Sequence, residues 1–536
     1  MTLERARGLI CAGLFCVAAT LGGGVRAAEV YAGCAQPGAT AKVWYVDPVN
    51  GKSPAAGGDG SQAAPWNSLS GVISFRLPTG YTRPLLSSVP YFHVVDGKRV
   101  YVADQLGNPP VHPGDTIKLM SGNYGDIVIG DYLQKVVNPS FVTVEAAPGQ
   151  APEFLTLYIR STNKWVFKGI KVQSLFGTNK SKLALVTVTD QGAALPTSDI
   201  ILENMQVNSA DSTDGWTQPE WLARARVVGI SAKGTDHGAN TTCVSVTKSH
   251  ISKVIFGAEV MANNMLFSGN EIDRFGDDGI DYVASNILIA KNYVHDDLVL
   301  GNGAHMDGMQ GYPGGASNVV IDSNRVIRQT DPNLPFPTYL QGIDAFDGDW
   351  TNLTVTNNVV VTSACWGIFF SSVHGGKIIN NTVVADGLVP QPGNCKPLVV
   401  VGDKTHQGSP SSDAIIRNNI ANGLNIYNLD PNMTMDHNIC LGINGRCQIV
   451  TYVNGKLDWA TIKPGMHGEH NIIDGRGASG MFVNFDPGKL VYDLRLRPGA
   501  PAIGAGNPEG APSVDITGAP RAGRTDIGAY QHAPLN

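Results

Sequence analysis

"GDDGIDYVASNILIAKNYVHDDLVLGNGAHMDGMQGYPGG" (Gly276–Gly315) carries Asp-Gly-aliphatic-polar twice, at Asp278 and Asp307, with the strand-like run "NILIAKNYV" between them. That run is one of a series. An apolar strand, then Asn, then a second short apolar stretch recurs in "NVVIDSNRV", "NLTVTNNVV", "KIINNTVV", "AIIRNNIA" and "TMDHNIC". The key asparagines are Asn292, Asn324, Asn358, Asn381, Asn418 and Asn438, at spacings of 32, 34, 23, 37 and 20 residues. The shortest spacings suit one coil of a parallel β-helix, and the longer ones a coil with a loop inserted. A tight corner between strands needs a residue tolerant of left-handed φ, and Asn accepts that region best among residues with side chains. Its amide can also bond the Asn one coil away. Period-two patterning with few helical stretches supports an all-β, right-handed parallel β-helix.

The ends read differently. Arg5 and Arg7, the apolar run Leu9–Leu21 and a small-residue site predict a signal peptide over residues 1–27, hence a secreted or periplasmic protein. Residues 28–140 read as an N-terminal capping region with the first coils, 141–483 as the looped solenoid, and 484–536 as a closing segment. Both end regions are expected to cap the open solenoid. No later run is long and apolar enough to span a membrane. Charged residues are 16% of the 536 and net charge is −6, with no basic stripe, which argues against a nucleic-acid partner. A monomer is expected. Six cysteines follow the signal peptide; Cys365–Cys395 and Cys440–Cys447 are the favoured local pairings.

Aligning coils through Gly-aliphatic sets Gly229-Ile230-Ser231, Gly257-Ala258-Glu259, Gly279-Ile280-Asp281, Gly308-Met309-Gln310, Gly342-Ile343-Asp344 and Gly367-Ile368-Phe369 in register. The aliphatic residue then points inward, and Ser231, Glu259, Asp281, Gln310, Asp344 and Phe369 form an outward column. A second column, with Lys233, Met261, Val283, Tyr312, Phe346 and Ser371, bears aromatics. Stacked carboxylates repel unless a cation or base intervenes, so an acidic column favours a functional site. A single Asp-Gly is also a common turn, since Asp satisfies nearby amides and Gly takes positive φ.

"DDGID", with Asp277, Asp278 and Asp281, resembles the calcium-binding acidic segment of the ninth polysaccharide lyase family, and the chain's two ends are similar to those of many exported β-helix proteins. The resemblance implies an acidic polysaccharide substrate cleaved by β-elimination. It implies calcium on Asp277, Asp278 and Asp281 with Glu259, and a Lys or Arg base, for which Lys233 is the candidate. His305 or Tyr312, beside Asp307, can serve the proton transfer instead. The pattern is also similar to polygalacturonase-type hydrolases, which implies Asp278 and Asp307 as acid and base with Asp344 assisting. A uronan epimerase and a non-catalytic polysaccharide-binding β-helix are further alternatives. Gln310, Arg274, Tyr312 and Trp350 are the expected substrate contacts; Trp350 reads equally as a ring stacking on sugar at the groove edge and as a core residue. The loop Asp214–Val227, with Trp216, Trp221, Arg224 and Arg226, reads as a glycan clamp or a packed helix. Gly234–Asn240, with Asp236 and His237, reads as a loop over the groove.

Overall fold

The computed structural model describes residues 33–532, except 97, 103–107, 131–134, 177–183, 191, 193–194, 235–239, 392–394, 403–407, 427–431, 443–448, 454–455, 461–469 and 522. The signal peptide, Cys447, Asp236 and His237 lie outside the described residues.

Three parallel sheets wind around one core. The first has 13 strands, from Val43–Val46 to Thr434–Asp436; the second has 13, from Gly122–Asn123 to Ile472–Ile473; the third has 11, from Asp126–Ile129 to Gly423–Ile426. Each coil visits the three in turn, as in Ile287–Ala290, Tyr293–His295 and Asp307–Gly311. The stack begins within this N-terminal region, where Val43–Val46 pairs with Thr116–Leu119. The N-terminal helix Leu69–Ile73, opened by the Ser68 side chain accepting from Gly71 N, buries Leu69, Val72 and Ile73 in the core.

The corner between the first and second sheets takes two residues with separate tasks. Lys291, Ser323, Asn357, Asn380, Asn418 and His437 hold left-handed φ of +52 to +59°. The following residue, Asn292, Asn324, Asn358, Asn381, Asn419 or Asn438, forms the buried ladder. Each ladder Oδ1 accepts both the backbone N–H and the Nδ2 of the Asn one coil before, at 2.9–3.1 Å from Asn270 to Asn471. The sequence reading gave both tasks to one asparagine. The ladder member is therefore Asn419, and Asn418 is the left-handed corner residue beside it.

The aligned glycines, Gly279 and Gly308 after Asp and Gly342 after Gln341, are not chosen for φ, since none of them has positive φ. A Cβ on Gly342 would lie 1.8 Å from the carbonyl oxygen of Gly367, and one on Gly279 would lie 2.7 Å from that of Gly308. Close stacking of strand entries demands them.

The closing segment lies along the flank. Met481, Phe482, Leu494, Leu496 and Ile527 cover outward-facing Ile327, Val359, Val361, Val384, Ile420 and Ile439 of the second sheet. Asn357, Asn380 and Asn418, on successive corners, donate to the carbonyls of Val514, Asp526 and Asn507. Cys365–Cys395 is bonded as expected; Cys34 joins Cys243, and Cys440 is also in a disulfide.

Replacing a ladder residue orphans several buried partners. Asn324→Ala is expected to destabilise by about 2–3 kcal/mol, because buried unpaired polar groups cost about 1–3 kcal/mol each. Asn318→Gly removes a link of the exposed ladder Asn286–Asn318–Asn352 while keeping its left-handed corner, and is expected to cost under about 1 kcal/mol. Guanidinium unfolding of both variants reads the difference; equal losses would remove the ladder from the account.

Candidate active site

Pairing along the third sheet reproduces the aligned column. Ser231 is registered with Glu259, Glu259 with Asp281, Asp281 with Gln310, Gln310 with Asp344, and Asp344 with Phe369. Ile280, Met309, Ile343 and Ile368 between them are fully buried in the core. Asp278 and Asp307, 29 residues apart, meet one coil apart: the Asp307 amide donates to Asp278 Oδ1 at 3.0 Å, and Gly279 N donates to the Asp307 carbonyl at 2.9 Å.

Turn chemistry explains that one hydrogen bond and no more. Asp281 Oδ1, Asp307 Oδ1 and both carboxyl oxygens of Asp344 are buried and receive no hydrogen bond from an N–H or hydroxyl. Burial, reinforced by Asp307 and Asp277, pushes Asp278 up to about 8. Burial lifts Asp277 to about 6. Burial and neighbouring carboxylates raise Asp281 and Asp344 well above the usual carboxylate range. Asp307 is raised by burial, although the hydrogen bond and charge of His305 pull it down. The cluster is therefore a set of carboxyls that share protons, the expected response of close acids withdrawn from water.

His305 Nδ1 stands 3.3 Å from Asp307 Oδ2, and its side chain is 68% exposed. That hydrogen bond, with the Asp307 and Asp278 charges, raises the imidazole to about 9. Gln310 Nε2 donates to Asp307 Oδ2 at 2.9 Å. Tyr312 is 38% exposed, and burial together with Asp281 pushes its phenol to about 12. At the upstream edge Lys233 Nζ bonds Glu259 Oε1 at 2.6 Å, and Ser231 Oγ donates to the other Glu259 oxygen. Glu259 is thus already engaged by a cation of the chain.

Two expected substrate contacts lie elsewhere. Trp350 is 0% exposed; its indole N–H donates to the Asp347 carbonyl at 3.1 Å and its ring meets Tyr282 edge-on at 5.4 Å. Arg274 belongs to the second sheet, where it pairs with Asp273 and, at 2.9 Å, with Asp331. Segment Asp214–Val227 takes the packed form: Gln218–Arg224 is a helix with a Thr217–Glu220 capping box, and Trp221 is buried against Ile255, Leu298 and Leu300. The sequence reading used Trp366 only to align a coil. Its ring in fact joins Phe346 and Phe369 beside Asp344, with centroids 4.6–5.8 Å apart. The signal was its place in the same Gly-aliphatic tetrad as the acids.

No described helix is long and apolar enough to cross a membrane. The family described as "Right handed beta helix region" matches residues 228–406. No curated protein matches. Among solved structures, the chain is similar to the pectate lyase Pel9A, at 15% identity and a TM-score of 0.39, over 94% of this chain and 98% of that one. It is similar to the A-module of the Azotobacter vinelandii mannuronan C-5 epimerase AlgE6, at 12% identity and 0.43, over 67% and 91%. It is also similar to PfbA, a surface adhesin of Streptococcus pneumoniae, at 9% identity and 0.36, over 67% and 88%.

The cluster makes stability depend on pH with a definite sign. Unfolded carboxyls lose their protons near pH 4, whereas folded Asp277 and Asp278 keep theirs to about 6 and about 8. The folded state binds more protons in that window, so stability falls as pH rises through it. In chelator, the thermal midpoint is expected to drop from pH 5 to pH 8. Asp278→Asn, which keeps the acceptor for the Asp307 amide, is expected to flatten the drop and raise the pH 8 midpoint by about 2 °C or more. A pH profile identical in wild type and variant would contradict the shared-proton cluster.

Proposed function

We propose that this protein is an exported enzyme that cleaves an acidic, uronic-acid-containing polysaccharide by β-elimination. The observation that carries the reading is the column of carboxyls Asp281, Asp307 and Asp344, in which Asp281 Oδ1, Asp307 Oδ1 and both Asp344 oxygens are buried and accept no hydrogen bond among the described residues. Folding alone is better served by Ser, Thr or Asn at such positions, which carry no like charges. The disulfides agree with an oxidising destination.

The oxygen-only donor set fits calcium, which takes six to eight oxygens. Asp277, Asp278 and Asp281 are the holders, with Glu259 beyond them on the previous coil. Among the described residues, no three His, Cys, Asp or Glu already stand as a metal-binding group, so binding would draw the carboxyls together and release their protons. A cation bound there supplies positive charge against the substrate's carboxylate, which makes the C5 proton acidic.

The chain's own residues then act as follows. Asp307 orients His305 through Nδ1, leaving Nε2 toward the groove. Nε2 takes the C5 proton, the C4–O bond breaks as the C4–C5 double bond forms, and the departing oxygen takes up a proton from water. Lys233, held by Glu259, borders the site upstream as a positive anchor for a uronate. Because His305 is raised to about 9, its base form grows with pH across the neutral range. Turnover is expected to rise from pH 7 toward pH 9, and His305→Ala to lower kcat by about 10²–10⁴-fold.

A hydrolase is the second reading. A carboxyl that stays protonated to about pH 8, as Asp278 does, is suited to general-acid catalysis. Digesting a panel of uronic-acid polysaccharides with and without chelator separates the two. New ultraviolet absorbance lost on chelation is the expected outcome. Reducing ends without absorbance mean hydrolysis, and neither on any polymer overturns the enzyme.

A further inference from the structure

The outward face of the third sheet changes character just past Asp344. Phe369 is registered directly against Asp344 on the next coil. Phe346 follows Asp344 by two residues and so shares its side of the strand. Trp366 opens the strand that carries Phe369. Phe346 and Phe369 stack with centroids 4.6 Å apart and planes 25° apart; Trp366 meets Phe369 at 4.7 Å and Phe346 at 5.8 Å. Leu398 and Val400, on the coil after, are buried beneath this group. Phe369 is 6% exposed and serves as the base, while Phe346 and Trp366 pack against it and are only partly buried.

A solenoid core has no use for these rings, because the inward positions of the same strands are already filled by Ile343, Ile368 and Phe370. Rigid half-exposed aromatics lose little conformational freedom on binding and offer large apolar area. They lie in line with the acids, on the axis along which successive coils advance by about 4.8 Å.

We propose that Phe346, Trp366 and Phe369 form a binding subsite for the apolar face of an uncharged sugar ring, one coil beyond the acids. The inference rests on the polysaccharide reading above and adds the chemistry of the neighbouring unit. Aromatic faces carry the negative side of the ring quadrupole. A free carboxylate is disfavoured there; a neutral sugar or an esterified uronate is accepted. The polymer recognised is then mixed, with a charged unit at the acids and an uncharged one over the rings.

The test is binding, read without turnover. Native affinity electrophoresis is run through gels containing each polysaccharide of the uronic-acid panel, in free-acid and methyl-esterified form, with wild type, Trp366→Ala and Trp366→Tyr. Trp366→Ala is expected to weaken binding about tenfold, a factor worth about 1.4 kcal/mol. Trp366→Tyr should recover most of it, and the dependence on Trp366 should be greater for the esterified polymer. Circular dichroism checks folding, and Phe346→Ala replaces Trp366→Ala if that variant does not fold. Binding that ignores both substitutions, or wild type that binds no polymer, overturns the subsite. Binding that depends on Trp366 without cleavage of any polymer supports the subsite and overturns only the enzyme. Cleavage with binding independent of both rings does the reverse.

Discussion

Coil-to-coil register is the constraint from which the rest of this protein follows. Strand pairing has a side-chain period of two, so a slip of one residue would turn every outward carboxyl into the core. The buried ladder from Asn270 to Asn471 pins that register at one corner of each coil, through two hydrogen bonds per step from amide to amide. With the corner fixed, loops elsewhere in the coil vary freely. The segment between Asp297 and Met306 can lengthen without disturbing the meeting of Asp278 with Asp307. Distance along the chain is thereby converted into proximity on the surface.

The three faces then carry different loads. The second sheet's outward apolar residues are covered by the closing segment. The first sheet's outward positions carry ion pairs such as Lys118–Glu145 and Lys168–Glu203, which contribute little individually but keep that face solvated. The third sheet combines buried carboxyls with half-exposed rings in one column, an arrangement that neither the core nor solubility requires. Inward, the same strands contribute ordinary aliphatics, so the site is carried on a scaffold whose stability comes from stacking.

The winding was legible because it is written in repetition: the Gly-aliphatic pattern recurs in six successive coils, and the column read from it is the column formed. What depended on a single residue was less legible. Asn doublets such as Asn418-Asn419 do not reveal which member turns the corner and which bonds the ladder, because both tasks suit Asn. Trp350 follows the short "DAFDGDW" stretch, where the coil leaves the strand; counting alternation across such a bend no longer tells in from out, and Tyr282 claims the ring for the core. Trp366 was hidden by the opposite circumstance. It precedes Gly367, where the other aligned coils carry Val228, Phe256, Asp278, Asp307 and Gln341, so the pattern does not mark its ring, and its partners Phe346 and Phe369 come from two coils. The role of the glycines was inverted for a similar reason. A Gly after Asp suggests a left-handed turn locally, and only the neighbouring coil's carbonyl, 2.7 Å from the Cβ position at Gly279, reveals the true demand.

The acid cluster also sets protons and cations against each other for the same oxygens. Withdrawn from water and facing one another, the carboxyls of Asp278, Asp281 and Asp344 lower their energy by holding protons. A divalent ion achieves the same neutralisation only by expelling them, so its affinity must rise with pH. His305 sits on the boundary of this exchange. It draws its high proton affinity mainly from Asp307 and in part from Asp278. Charge placed on Asp278 by a cation would therefore loosen the proton on His305. Were a cation bound there, its occupancy and the proton affinity of His305 would be coupled through two carboxyls that register alone brings together.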